Sequence, residues 1–224
     1  EPRKKSFVGN ELSFKHISNV LMQKSVLLLT IPWFIIYLLV GTIMTFFSKA
    51  GHEEFNLEGW KIGLFLSLGC IFVVATQRFY GKLSDRFGRV PLMFLGGVGI
   101  LGLSITSGIL YLTSPSQNPM HIYSNIMKFL PLLAIFALMA GAFAPSALAS
   151  LADVSHEKRK GITMGVYVVV ISSGMLFGPI ITGFIADHFG GFGVLVFMAI
   201  CGITMLFFIF LRYLEMRNYE IHKR

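Results

Sequence analysis

A chain of 224 residues that is 54% hydrophobic and only 13% charged, with a mean hydropathy of +0.72, lacks the polar surface of a water-soluble domain. Its net charge of +8 comes without a solvated basic face, so nucleic acid is not an expected partner. The apolar residues gather instead into runs near the length of about 20 residues that crosses a bilayer as a helix.

In chain order, residues 1–25 are polar and basic. Within them Leu12, Phe14, Ile17, Val20 and Leu21 recur at near-helical spacing, with Lys15, His16 and Lys24 between. This predicts a short amphipathic helix at the membrane interface. Six apolar runs follow, at about 26–48, 58–79, 91–113, 128–151, 162–185 and 192–212, and residues 213–224 form a polar tail. The expected fold is all-α, with six transmembrane helices. The first run is not a signal peptide, since it follows a long basic segment and has no small-residue cleavage site. Cys70 and Cys201 fall inside runs without partners for a disulfide or zinc, and the six histidines are dispersed among ends and loops. No metal, cofactor or catalytic dyad is expected, and hence no enzyme. A channel subunit would show a voltage-sensor arginine series or a re-entrant filter loop, and neither appears.

Charge placement predicts the orientation. With the N-terminus inside and six crossings, the inner segments hold Arg3, Lys4, Lys5, Lys15, Lys24, Arg78, Lys82, Arg86, Arg89, Lys158, Arg159, Lys160, Arg212, Arg217, Lys223 and Arg224. Only Lys49, Lys61 and Lys128 fall outside. A miscounted span would destroy this positive-inside bias. Both termini are therefore expected in the cytoplasm, in a multi-pass protein of the plasma or inner membrane.

Between the second and third runs stands Gly81-Lys82-Leu83-Ser84-Asp85-Arg86-Phe87-Gly88-Arg89. It is expected to be a tight turn, with Gly81 and Gly88 letting one helix end and the next begin. Asp85 can cap N–H groups of the next helix or accept from Arg86 or Arg89. Asp153, closing the fourth run on the same face, is the best partner for these arginines within the chain. The pattern, its position and its charges resemble the signature loop of the major facilitator superfamily of secondary transporters. That resemblance implies a loop that helps latch the cytoplasmic side shut.

The loop has an echo 102 residues later, Gly183-Phe-Ile-Ala-Asp187-His-Phe189-Gly190. One copy closes a run directed inward and the other a run directed outward. Similar segments on opposite faces, three runs apart, predict a 3+3 inverted repeat.

The fifth run places Gly165, Gly174, Gly178, Pro179 and Gly183 at spacings that resemble the glycine-proline motif of the family's proton-coupled exporters, with Thr182 where a glycine is usual. Small residues four apart let helices approach closely, and Gly178-Pro179 is expected to kink or hinge the helix. Ala152-Asp153 and Lys160-Gly161 resemble the family's short cytoplasmic loop. Family members usually carry two six-helix bundles, so a second bundle is an expected partner, as a missing half or as a second copy. The chain begins at Glu1 with a polar Glu-Pro-Arg-Lys-Lys segment, and Gly141-Ala-Phe-Ala-Pro145 resembles the tenth span of full-length members. These favour the C-terminal half; the glycine-proline motif pulls toward the first.

No ionisable residue sits mid-run, so a coupling carboxylate would lie outside these spans. The candidate pathway is polar and aromatic: Thr30, Trp33 and Tyr37 on one face of the first run, Phe143 in the fourth, and Tyr167 and Ser172 in the fifth. Such a cavity suits small apolar or drug-like solutes moved outward by alternating access, with proton coupling open. The competing expectation is uptake of sugars or organic ions. Lipid bilayer and a small-molecule substrate are the other partners.

Overall fold

The computed structural model describes residues 24–53, 58–113, 119–154 and 160–223. The interfacial helix expected over 11–24 lies outside these residues except for Lys24, which opens the first helix. The described regular structure is α-helical: α1 (Lys24–Glu53), α2 (Gly59–Phe87), α3 (Arg89–Thr113), α4 (Pro119–Gly141), α5 (Phe143–Val154) and α6 (Lys160–Lys223). Five stretches are long and apolar enough to cross a membrane: Lys24–Phe46, Gly59–Phe87, Arg89–Leu110, Met127–Asp153 and Thr163–Arg217. The last runs for 55 residues, more than twice what a bilayer requires.

The path of α6 follows from what it touches. Its first part ascends beside α1: Gly174 lies against Phe34 and Leu38, Gly178 against Leu38 and Thr42, and Asp187 pairs with Lys49. Residue numbers rise together, so the two segments are parallel. Gly190 then leaves the helical region, at φ 66° and ψ −172°, a conformation open only to glycine. Beyond it the direction reverses. Gly108 faces Leu195, Gly202 faces Leu101 and Gly97 faces Leu206, so this part runs antiparallel to α3. Towards its end Glu215 accepts a hydrogen bond from Ser25 Oγ at 2.8 Å, beside the start of α1.

Two expectations about element ends are corrected. The signature segment is not a turn of nine residues. α2 continues through Phe87, and the chain breaks at Gly88 alone, whose φ is 95° and whose N–H donates to the Ser84 carbonyl at 3.1 Å. A glycine inside a helix costs only about 1 kcal/mol, too little for Gly81 to stop a 29-residue helix. The fourth run is not continuous, because α4 stops at Gly141 and α5 begins at Phe143. Pro145 supplies the reason: its ring clashes with the carbonyl four residues back, at Gly141, and it has no N–H to bond there. Residues 213–223 of the polar tail continue α6 as helix. That segment holds no glycine or proline to stop it.

The core lies where α1, α3, α5 and both parts of α6 meet, around Leu29, Trp33, Leu39, Met93, Phe143, Leu151, Val194, Met205 and Ile209. Small residues bring α3 against the α4–α5 break: a Cβ on Gly96 would lie 2.6 Å from Phe143, and one on Gly99 would lie 2.3 Å from the Ala140 nitrogen. α2 stands at the flank, with Leu64, Leu68, Ile71, Val74 and Phe79 all exposed.

Candidate functional site

The glycine-proline segment makes a backbone-to-backbone crossing with α1. A Cβ on Gly178 would lie 2.4 Å from the Leu38 carbonyl oxygen and 3.1 Å from the Thr42 nitrogen. On Gly174 it would lie 2.7 Å from the Phe34 oxygen, and on Gly41 it would lie 2.9 Å from Pro179 Cδ. Pro179 also frees the Met175 carbonyl, which would meet that same Gly41 Cβ at 3.1 Å. The helix keeps helical backbone angles through Gly178-Pro179; the described break is at Gly190. Gly165 and Gly183 take no part in the crossing, since an added Cβ on either meets nothing within 4 Å.

Thr182, the departure from the motif, has its own bond across this contact. Thr42 Oγ1 donates to the Leu38 carbonyl at 2.9 Å, which leaves its lone pairs free. Thr182 Oγ1 lies 2.9 Å from it and 2.7 Å from the Gly178 carbonyl, its single hydrogen divided between the two. Both hydroxyls are buried. A glycine at 182 would leave Thr42 without this link, so here the crossing is fastened rather than merely close.

Four of the candidate pathway residues form one aromatic cluster. Trp33 is 1% exposed, stacked on Tyr37 at 5.8 Å between ring centres and met edge-on by Phe143 at 5.3 Å and Tyr167 at 4.9 Å. α1, α5 and α6 each contribute. Thr30 is buried beneath, its hydroxyl donating to the Leu27 carbonyl at 3.2 Å. Ser172 is exposed and stands apart from the cluster. In this conformation the rings are packed as core. A shallow, open depression lies elsewhere, along Met44, Thr45, Ser48, Lys49 and His52 of α1.

Ion pairs mark both ends of the bundle. At one end Arg89 reaches three partners: its Nη1 donates to an Asp85 carboxylate oxygen and, at 3.3 Å, to Ser84 Oγ, while Nε donates to Asp153 Oδ2 at 3.2 Å. This joins the α2–α3 joint to the end of α5. Asp85 thus turns toward Arg89, one helical turn on, and not toward an N–H of α3. Arg86 is exposed, its guanidinium 5.7 Å from the Phe87 ring centre. At the opposite end Lys49 Nζ lies 3.3 Å from Asp187 Oδ1. Asp85 and Asp187 are therefore each tied to a neighbouring helix end, at opposite ends of the bundle. A third cluster escaped the sequence reasoning: Arg212, 7% exposed, pairs with Glu215, which also accepts from Ser25. The i,i+3 spacing of Arg212 and Glu215 was its available signal.

Long apolar helices, one of them broken at mid-length and another reversing at a glycine, define a polytopic helical membrane protein. The family model described as Major Facilitator Superfamily matches residues 21–223, and the chain belongs to that family. Curated relatives include "Multidrug resistance protein MdtG" of Dickeya zeae, 33% identical over 71% of this chain, and that of Klebsiella pneumoniae, 30% identical over 75%. The Serratia proteamaculans protein of the same name is 36% identical over 62% of the chain. The matched region spans only 36%, 36% and 30% of those relatives' own lengths.

Proposed function

We propose that this chain is a six-helix half of a secondary transporter that exports small apolar or drug-like solutes by alternating access. The observation that carries this is the reversal of α6. Its contacts with Lys49 at one end and Ser25 at the other support two crossings within Thr163–Arg217, and so six in all. The reversal residue, Gly190, stands 102 positions after Gly88, and these are the two positive-φ glycines among the described residues. Sequence echo and backbone break thus recur in the same register, which supports a 3+3 inverted repeat. Positive-inside charge then assigns the Arg89 end and both termini to the cytoplasm.

In this scheme the Asp85–Arg89–Asp153 cluster is the clasp of the cytoplasmic end. Lys49–Asp187 braces the other end, and the Gly41–Gly178 crossing fixes α1 to α6, so the bundle moves as one body. The exposed apolar face of α2 is left for lipid or for a second six-helix bundle, and Gly141–Pro145 keeps the C-terminal half as the assignment for this one. Substrate class rests on the aromatic cluster, which holds no charged side chain, and on the name of the MdtG relatives. A coupling proton, if used, is carried by residues outside these spans.

Expression of the full-length gene in a strain lacking its own drug exporters tests this. Cells should accumulate less ethidium than the vector control, and a protonophore should abolish the difference if export is proton-coupled. Increased cellular uptake of a labelled sugar or organic anion, with ethidium unchanged, would instead make the protein an uptake carrier.

A further inference from the structure

Trp33 carries a hydrogen-bond donor that the folded chain leaves unused. Its ring is 1% exposed, and its Nε1–H has no acceptor among the described residues. A buried indole N–H ordinarily finds a partner, and an unmade bond in a low-dielectric interior is costly. Phenylalanine at this position would fill much of the same space and carry no such cost. The donor also sits at a junction able to rearrange. Phe143, edge-on to the indole at 5.3 Å, is the first residue of α5, directly after the break at Ala142. A discontinuous helix can re-seat one half without unzipping a continuous ladder. Tyr37 and Tyr167, the other two rings, are only partly buried, so the cluster reaches toward the surface of the bundle along α1 and α6.

We propose that Trp33 Nε1–H is the recognition donor of the transport site. It bonds an acceptor atom on a lipophilic solute whose apolar body lies against the rings of Tyr37, Phe143 and Tyr167. In the described conformation Phe143 and Tyr167 close over the indole; Phe143 moves with the first turn of α5 to admit the solute. No charged side chain belongs to the cluster, so the rings set the preference for apolar or aromatic bodies, and the indole sets the preference for those bearing an acceptor. This rests on the assignment of export above and adds to it a requirement on the substrate.

Two matched solutes isolate that requirement in the unmodified full-length protein. Triphenylphosphine oxide carries one strong acceptor oxygen, and triphenylmethane has nearly the same shape and none. In proteoliposomes, the oxide should inhibit rhodamine 6G transport at a concentration about tenfold lower than triphenylmethane, the range expected for one buried hydrogen bond. Trp33→Phe, which keeps an aromatic ring and removes the donor, should bring the two inhibitors within about twofold of each other. Trp33→Tyr, which restores a donor nearby, should recover part of the preference. Equal inhibition by the two solutes in the parent overturns the proposal, even if Trp33→Phe fails to fold. So does a preference that Trp33→Phe leaves intact. In both cases rhodamine 6G transport by the parent keeps the export assignment standing. A parent that transports no rhodamine 6G or ethidium removes export and this proposal together.

Discussion

Replacing Gly178 with alanine tests the α1–α6 crossing with the smallest change available. The new Cβ would lie 2.4 Å from the Leu38 carbonyl oxygen, where ordinary contact begins at 3.4 Å. The obstacle is backbone, so the helices must part by about 1 Å along that line. Such a shift would carry Thr182 Oγ1 from 2.9 Å to nearly 4 Å from Thr42 Oγ1, beyond hydrogen-bonding reach. Overpacking of this kind costs about 1–3 kcal/mol, and an interhelical hydrogen bond in a membrane protein about 0.6 kcal/mol. Alanine returns about 1 kcal/mol of helix propensity. Gly183→Ala is the internal control, because it gains the same propensity and its Cβ meets nothing within 4 Å. The two variants should therefore differ by about 1.6–3.6 kcal/mol. At about 2–4 °C per kcal/mol for a chain of this size, Gly178→Ala should melt about 3–14 °C below Gly183→Ala. Thermal unfolding of the purified proteins in detergent, followed by a thiol-reactive dye, measures this. Equal melting temperatures would refute the crossing as described.

The end clasp should behave differently. Arg89→Ala removes three contacts, but its carboxylate partners are well exposed, so the melting temperature should fall by the equivalent of about 1 kcal/mol or less. Its transport rate should change severalfold; a rate equal to that of the parent would make the cluster a topology anchor only. Thr42→Val and Thr182→Val, combined in a double-mutant cycle, should show a coupling of about 0.6 kcal/mol in unfolding free energy. Additive effects would mean that the two hydroxyls do not bond.

Much of this molecule was legible as sequence because lipid leaves few choices. A run of apolar residues must be a helix, and a helix joint needs a residue such as Gly88. Asp153 was legible as the partner of Arg89 because both sit at the same end of antiparallel spans. Helix ends were read less well. The charged segment 81–87 looks like a loop by polarity, yet nothing in it stops a helix, and polarity at a membrane surface does not select a turn. The break at Ala142 was present in Gly141–Pro145, which the sequence offers as a family pattern, and only the clash of Pro145 with the Gly141 carbonyl turns that pattern into geometry. Glycine spacing along the fifth run marked a close helix contact but not which glycines make it: Gly174 and Gly178 face α1, while Gly165 and Gly183 face nothing within reach. Thr182 looked like a defect until Thr42, 140 residues away, supplied its partner. Polarity and depth single out the aromatic residues as a candidate pathway. Their mutual packing depends on three separate elements and has no signature in any one of them.

The proposed six-span half-transporter requires α6 to cross the membrane twice, with Gly88 and Gly190 on opposite faces. Single cysteines placed at the exposed positions Arg86, His188 and Arg217, in the full-length protein freed of its own cysteines, measure it. A membrane-impermeant maleimide added to intact cells should label His188→Cys, and should label Arg86→Cys and Arg217→Cys only after permeabilisation. Labelling of positions 86 and 188 from the same side, or of 188 and 217 from the same side, would contradict the inverted repeat and the transport mechanism built on it.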